Sequence, residues 1–170
     1  AHFVSSSHVD LTIVGPETPL VHGMAAYFRE RRLPVFGPTK AAARLEGSKA
    51  FAKEIMRRCR VPTAGFEVFQ EYEPAAQYID RCPEPVVLKA DGLAGGKGAI
   101  VAPTRHEAKQ ALAGMLNERV FGEAGSQVVV EECLRGEEIS VLALVDGAHV
   151  ALLEPSQDHK RIGDGDRGPN

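Results

Sequence analysis

Residues 86–98 read VVLKADGLAGGKG, an apolar, β-branched run that carries Lys89 into a turn holding Gly92, Gly95, Gly96 and Gly98, with Lys97 among them. β-branched residues suit strands, and glycine adopts turn conformations that other residues resist. The segment predicts a strand over residues 85–90, a glycine-rich turn, and a returning strand over residues 98–102. Backbone N–H groups in such a turn can converge on an anion, and lysines can neutralise phosphate charge. The spacing is not G-x-x-x-x-G-K-[ST], and no helix follows directly, so a P-loop and a dinucleotide-binding fingerprint both fit poorly. Composition alone leaves two readings open, a phosphate-binding loop and a solvated hairpin tip.

The chain around this segment alternates strand and helix signals. Residues 10–15 (DLTIVG) are a short apolar run closed by Gly15-Pro16, and residues 18–32 carry a helical stripe at Leu20, Val21, Met24, Ala25 and Phe28. Val35-Phe36 then reads as a short strand. Strand, helix and strand in this order predict a parallel α/β unit. Thr39 and Ser48 are placed to cap two helices, the second closed by Val61-Pro62. Beyond Pro62 the alternation of Phe66 and Val68, a helix over residues 73–81, another over 104–116, and β-rich runs at 127–130, 139–145 and 149–153 predict a small α+β unit and the start of a second sheet. Asp146-Gly147 marks a hairpin turn.

Three further segments carry chemistry. VVVEECLRGEEIS, residues 128–140, places acidic pairs at Glu131-Glu132 and Glu137-Glu138 about a linker. Carboxylates accept hydrogen bonds from an exocyclic amine or from sugar hydroxyls, and linker backbone can bond a base edge. Solvated strand ends are the plainer reading of each glutamate. SQDHKRIGDGDRGPN, residues 156–170, clusters Asp158, His159, Lys160 and Arg161, either as a ligand-binding loop or as a solvated tail. Gly15-Pro16-Glu17 ends the first strand, where ligands of open α/β sheets bind, although a tight turn explains it equally. Ser156 lacks a G-x-S-x-G context, so a hydrolase triad finds no support.

A net charge of −3 gives no reason to expect a nucleic-acid or membrane partner, and the longest apolar runs fall far short of the roughly 20 residues a spanning helix needs. Cys59, Cys82 and Cys133 are odd in number and form no C-x-x-C pair, which predicts free thiols and a cytoplasmic enzyme. The missing initiator Met and the stop at Gly168-Pro169-Asn170 read as the cut ends of a fragment.

Taken in order, DLTIVGPETPLVHG, FGPTKAAARLEGSKAFAKEIM, VLKADGLAGGKG, VVVEECLRGEEIS and SQDHKRIGDGDRGPN resemble the glycinamide ribonucleotide synthetases, ATP-grasp ligases of purine biosynthesis. The resemblance covers nearly everything beyond residue 9. It implies the end of a Rossmann-like domain over residues 1–45, a connecting helix over 46–60, an ATP-grasp lid over 61–132, and the beginning of the central ATP-grasp subdomain over 133–170. It also implies condensation of 5-phosphoribosylamine with glycine through a glycyl phosphate, with ATP split to ADP and phosphate.

Carried over residue by residue, Lys49 and Lys89 would contact ATP phosphates, Lys89 being the catalytic one. The loop of Asp91, Gly92, Gly95, Gly96, Lys97 and Gly98 would close over them. Glu131 and the backbone of Cys133 and Leu134 would bind adenine, and Glu138 the ribose. Gly15, Pro16, Glu17, Asp158, His159, Lys160 and Arg161 would face the phosphoribosylamine and glycine. The resemblance implies Mg2+ as well, held by a Gly-Asp-Pro-Glu region and an asparagine that lie beyond residue 170, so no metal ligand is assigned within the chain. Biotin-carboxylase-like and purine-carboxylase-like ligases share the two lysines and the hinge, but not GPTKAAARLEGSKAF joined to SQDHKRIGDGD. A nucleotide-binding module without turnover is a further alternative.

Overall fold

A computed structural model describes residues 1–95, 97–157 and 162–164. It divides into two compact units, Ala1–Cys133 and Leu134–Asn170.

The first unit begins with α1 (His2–Ser6), β1 (Thr12–Ile13), α2 (Glu17–Val21), α3 (Met24–Glu30) and β2 (Val35–Phe36). β1 and β2 pair in parallel, with Thr12 opposite Val35 and Ile13 opposite Phe36, which is the βαβ arrangement expected from the apolar pattern. The single helix expected over residues 18–32 is instead two. Gly23 sits at φ 91°, a left-handed conformation that terminates α2 and redirects the chain into α3. α1 has no counterpart among the sequence-based expectations.

α4 (Lys40–Gly47) and α5 (Lys49–Cys59) follow, and both are capped as their sequences predict. The hydroxyl of Thr39 accepts from the Ala42 N–H at 3.2 Å, and that of Ser48 from the Phe51 N–H at 3.0 Å. Each such cap contributes about 1 kcal/mol by satisfying an otherwise orphaned donor. α5 ends where Arg60 takes φ 56° and the Val61 N–H bonds back to the Met56 carbonyl.

β3 (Phe66–Phe69), α6 (Tyr72–Ile79), β4 (Val86–Ala90), β5 (Ala99–Ala102), α7 (Arg105–Leu116), a 3-10 turn (Gly122–Ser126) and β6 (Val128–Glu132) complete the unit. The four strands form an antiparallel sheet in the order β3-β6-β4-β5. Side chains alternate across a strand, so the register of β4 with β6 sorts them by face. Val86, Leu88, Ala90, Val128 and Val130 form one buried core with Ile79 of α6 and Leu112 and Met115 of α7. Truncating a residue such as Leu112 to alanine would cost about 2–5 kcal/mol. Val87, Lys89, Val129 and Glu131 share the opposite face, and α5 packs against β6. The helical layer thus holds the sheet rigid while its other face presents charge.

In the second unit β7 (Ala143–Val145) and β8 (Val150–Leu152) pair antiparallel about the predicted Asp146-Gly147 turn, and Ser140 bridges Ser156. The β-rich run from residue 139 is shorter in the structure, because only Ala143–Val145 find ladder partners in β8. No described helix is long and apolar enough to cross a membrane.

Candidate functional site

Lys89 and Glu131 meet because β4 and β6 are neighbours in a register that puts both on the same face. Lys89 Nζ lies 3.1 Å from Glu131 Oε2. A second lysine, Lys53 of α5, reaches the same oxygen at 2.9 Å. Glu131 is only 3% exposed, and its other oxygen, Oε1, is buried with no hydrogen-bond partner among the described residues. An orphaned acceptor of this kind is costly unless a ligand donor completes it. A buried carboxylate between two ammonium groups leaves a net positive charge at the mouth of the sheet, where Lys89 is the more exposed of the two cations, at 31% against 11% for Lys53.

The glycine turn stands beside this cluster. Gly92 and Gly95 have φ of 84° and 58°, which L-residues with a Cβ resist, and a Cβ on Gly98 would lie 2.6 Å from that of Ala94. The turn is closed by the Ala90 N–H donating to the Gly98 carbonyl at 2.7 Å and the Lys97 N–H donating to the Ala94 carbonyl at 3.1 Å. Lys97 itself is exposed, and Gly96 lies outside the described residues. Lys49 Nζ donates to the Gly92 carbonyl at 2.8 Å, which brings the first residue of α5 onto the loop. Asp91 sits at the base. Its Oδ1 accepts from the Ala50 N–H at 2.9 Å, and its carboxylate accepts from the Ser48 hydroxyl at 3.1 and 3.0 Å. Asp91 therefore caps α5 from across the fold, where a carboxylate also complements the helix dipole.

These elements enclose a cleft of about 470 Å³, within the size range of small-molecule sites. Lys49, Lys53, Lys89, Glu131 and the Gly92–Gly95 stretch line it, and Ala52 and Met56 supply an apolar wall. Glu17, at the start of α2, lines it too. Gly15 borders a neighbouring hollow of about 290 Å³ together with Glu17 and Glu46, and Pro16 is the N-cap of α2.

The structure thus brings Lys49, Lys89, Gly92, Gly95, Glu131 and Glu17 to one cleft, whereas Asp91, Lys97 and Gly98 do not line it. Cys133 is the last residue of the first unit, whereas Leu134 and Glu138 belong to the second. Asp158, His159, Lys160 and Arg161 lie outside the described residues. Lys53 escaped the sequence reading. Its one signal was the i, i+4 spacing from Lys49, which sets both lysines on one face of α5.

A four-stranded antiparallel sheet backed by two helices on one face, with lysines and a glycine turn gathered beside α5 on the other, belongs to the ATP-grasp class, whose domain model matches residues 47–170. A solved biotin carboxylase domain of Hydrogenobacter thermophilus 2-oxoglutarate carboxylase, in complex with MgADP, ADP and bicarbonate, shares that fold at a TM-score of 0.70 and 23% identity, over 91% of this chain and 35% of that one. The chain belongs to the phosphoribosylglycinamide synthetase family: the model for its N domain matches residues 1–46, and the model for its ATP-grasp (A) domain matches residues 47–170. A phosphoribosylamine–glycine ligase of Pseudomonas aeruginosa is 55% identical over 166 residues, which are 98% of this chain and 39% of that protein. The crystal structure of phosphoribosylamine–glycine ligase from Thermotoga maritima superposes at a TM-score of 0.79 with 36% identity, over 93% of this chain and 38% of that one. The chain spans about two fifths of the length of the curated relatives it matches.

Proposed function

We propose that the intact protein joins 5-phosphoribosylamine to glycine at the expense of ATP, by way of a glycyl phosphate, and that the cleft between α5 and the sheet is where ATP phosphates bind. The observation that carries this is the convergence of Lys49 and Lys89 on one cleft beside the glycine turn. Phosphoryl transfer depends mainly on positioning and electrostatic stabilisation, which two lysines converging on one cleft provide. Lys49 exchanges its Gly92 carbonyl for phosphate oxygen, Lys89 stabilises the charge that develops during transfer, and the loop from Asp91 through Lys97 to Gly98 closes over both. The orphaned oxygen of Glu131 accepts from the adenine amine, the backbone of Cys133 and Leu134 bonds the base edge, and Glu138 holds the ribose.

Gly15, Pro16 and Glu17, with Asp158, His159, Lys160 and Arg161, face glycine and phosphoribosylamine. Residues 1–45 serve as the end of the substrate domain, 46–60 as the connecting helix, 61–132 as the lid, and 133–170 as the start of the central subdomain. We place the reaction in the cytoplasm, where the free thiols of Cys59 and Cys82 are at home. Among the described residues no three acidic, histidine or cysteine side chains converge on a point. These residues form no all-protein cage for magnesium.

The test is ADP formation by the intact protein with each co-substrate in turn. Glycine- and phosphoribosylamine-dependent turnover is expected. Turnover that depends on bicarbonate instead would replace this reading with a carboxylase.

A further inference from the structure

We propose that Lys53 is a positioning residue for Lys89, acting through Glu131 and not by touching the nucleotide; the inference rests on the nucleotide reading of the cleft. Lys53 is 9% exposed, an unusual place for an ammonium group. Its Nζ lies 2.9 Å from Glu131 Oε2, donates to Thr63 Oγ1 at 2.8 Å, and stands 5.4 Å from the centre of the Phe66 ring. A lysine has three N–H donors and no acceptor, so these contacts engage its bonding capacity inside the protein. Lys89 shares the same Glu131 oxygen at 3.1 Å but is nearly three times as exposed. The two cations therefore divide their work: one is fastened to protein groups and the other can turn toward solvent.

The consequence follows from counting charges. With Lys53 in place, Glu131 is balanced by a cation that does not move, and the pull on Lys89 is shared. An incoming triphosphate then meets an ammonium group whose charge is not cancelled. Without Lys53, a carboxylate that is 3% exposed keeps Lys89 as its ion-pair partner. Breaking a buried pair by removing one member leaves an uncompensated charge, and such a charge draws in the nearest cation. Lys89 would fold onto Glu131, and phosphate would have to compete for it. Lys53 thereby sets phosphate affinity from a position that never contacts phosphate.

The experiment measures binding of a non-hydrolysable ATP analogue and of adenosine to the intact protein, by calorimetry, for wild type, Lys53→Met, Lys53→Arg and Lys89→Ala. Lys53→Met, folded by circular dichroism, is expected to weaken the ATP analogue roughly tenfold and adenosine less than about twofold, because only the charged ligand uses Lys89. Lys53→Arg should recover most of the loss by restoring the charge. Equal weakening of both ligands would mark Lys53 as a structural lysine, and unchanged binding of both would remove it from the site; either result overturns the inference. If Lys53→Met does not fold, lysine ammonium NMR of the wild-type protein decides. The Lys89 resonance should move strongly on adding the analogue and that of Lys53 only slightly, and the reverse order would make Lys53 a direct phosphate ligand. Lys89→Ala separates the two levels: full affinity for the analogue in that variant would sink the nucleotide reading itself.

Discussion

Asp91 and Ser48, 43 positions apart in the chain, are joined by hydrogen bonds of 3.0 and 3.1 Å that fasten the base of the glycine turn to the helix bearing Lys49 and Lys53. Because Asp91 also accepts from the Ala50 N–H, the turn and the first residues of α5 are held as one piece. Asp91→Ala removes a cap and a tether together. The expected loss is about 1–2 kcal/mol, with Asp91→Asn losing less because its amide oxygen still accepts. Urea denaturation checks this, and a midpoint for Asp91→Ala equal to wild type would show that the tether contributes nothing to stability.

Thiol reactivity should separate two of the cysteines. Burial pushes the Cys82 thiol up, partly offset by its contact with Tyr78 and by the nearby Arg105 and Arg81, while Cys59 is exposed. The thiolate is the reactive form, so Cys82 should be alkylated more slowly than Cys59 by on the order of tenfold or more at neutral pH. Maleimide labelling followed by peptide mass mapping measures it. Equal rates would mean that the buried cluster holding Cys82 with α6 and α7 opens far more readily than its packing implies.

Much of this was legible along the chain, and what escaped depends on distant pairings. Thr39 and Ser48 announce their helices because a cap bonds an N–H only a few residues away. β4 and β6 announce themselves because strands buried among neighbours read as continuous apolar runs. Lys53 does not, because a lysine on an amphipathic helix reads as solvated until β6 places Glu131 beneath it. The break at Gly23 was hidden too. An isolated glycine within a helical stripe is usually tolerated, and only the turn back toward β2 selects its left-handed conformation.

Acid titration tests the second unit on its own terms. The carboxyl of Asp146 is lowered from 3.8 to about 2, first by its contact with the His149 ring, whose Nδ1 lies 3.0 Å from Oδ2, and then by the His149 and Ala148 backbone N–H groups. A folded value below the unfolded one means that the turn gains from the carboxylate above about pH 4, where both states are ionised, and loses that gain as pH falls toward 2. Carboxyl NMR should place the Asp146 midpoint near 2 in the native protein. His149→Ala should raise it toward the ordinary aspartate value, and a midpoint that stays low in that variant would assign the shift to the backbone donors alone.

The sharpest functional prediction concerns Lys89. It enters the cleft from a strand locked by pairing on both sides, β5 and β6, so its backbone is fixed, and the sheet core lies on the face away from it. Removing its side chain should therefore spare the fold while deleting one ammonium from the place where phosphate charge develops. Loss of a single preorganised electrostatic contact typically lowers turnover on the order of 100- to 1000-fold. Steady-state kinetics of Lys89→Ala in the intact protein, with glycine and phosphoribosylamine saturating, should show that loss in kcat alongside an unchanged far-UV spectrum and a melting temperature close to wild type. A drop of less than about threefold would be too small for a group that meets the transferring phosphoryl, and the catalytic role would then have to pass to Lys49, whose ammonium already rests on the loop at the Gly92 carbonyl.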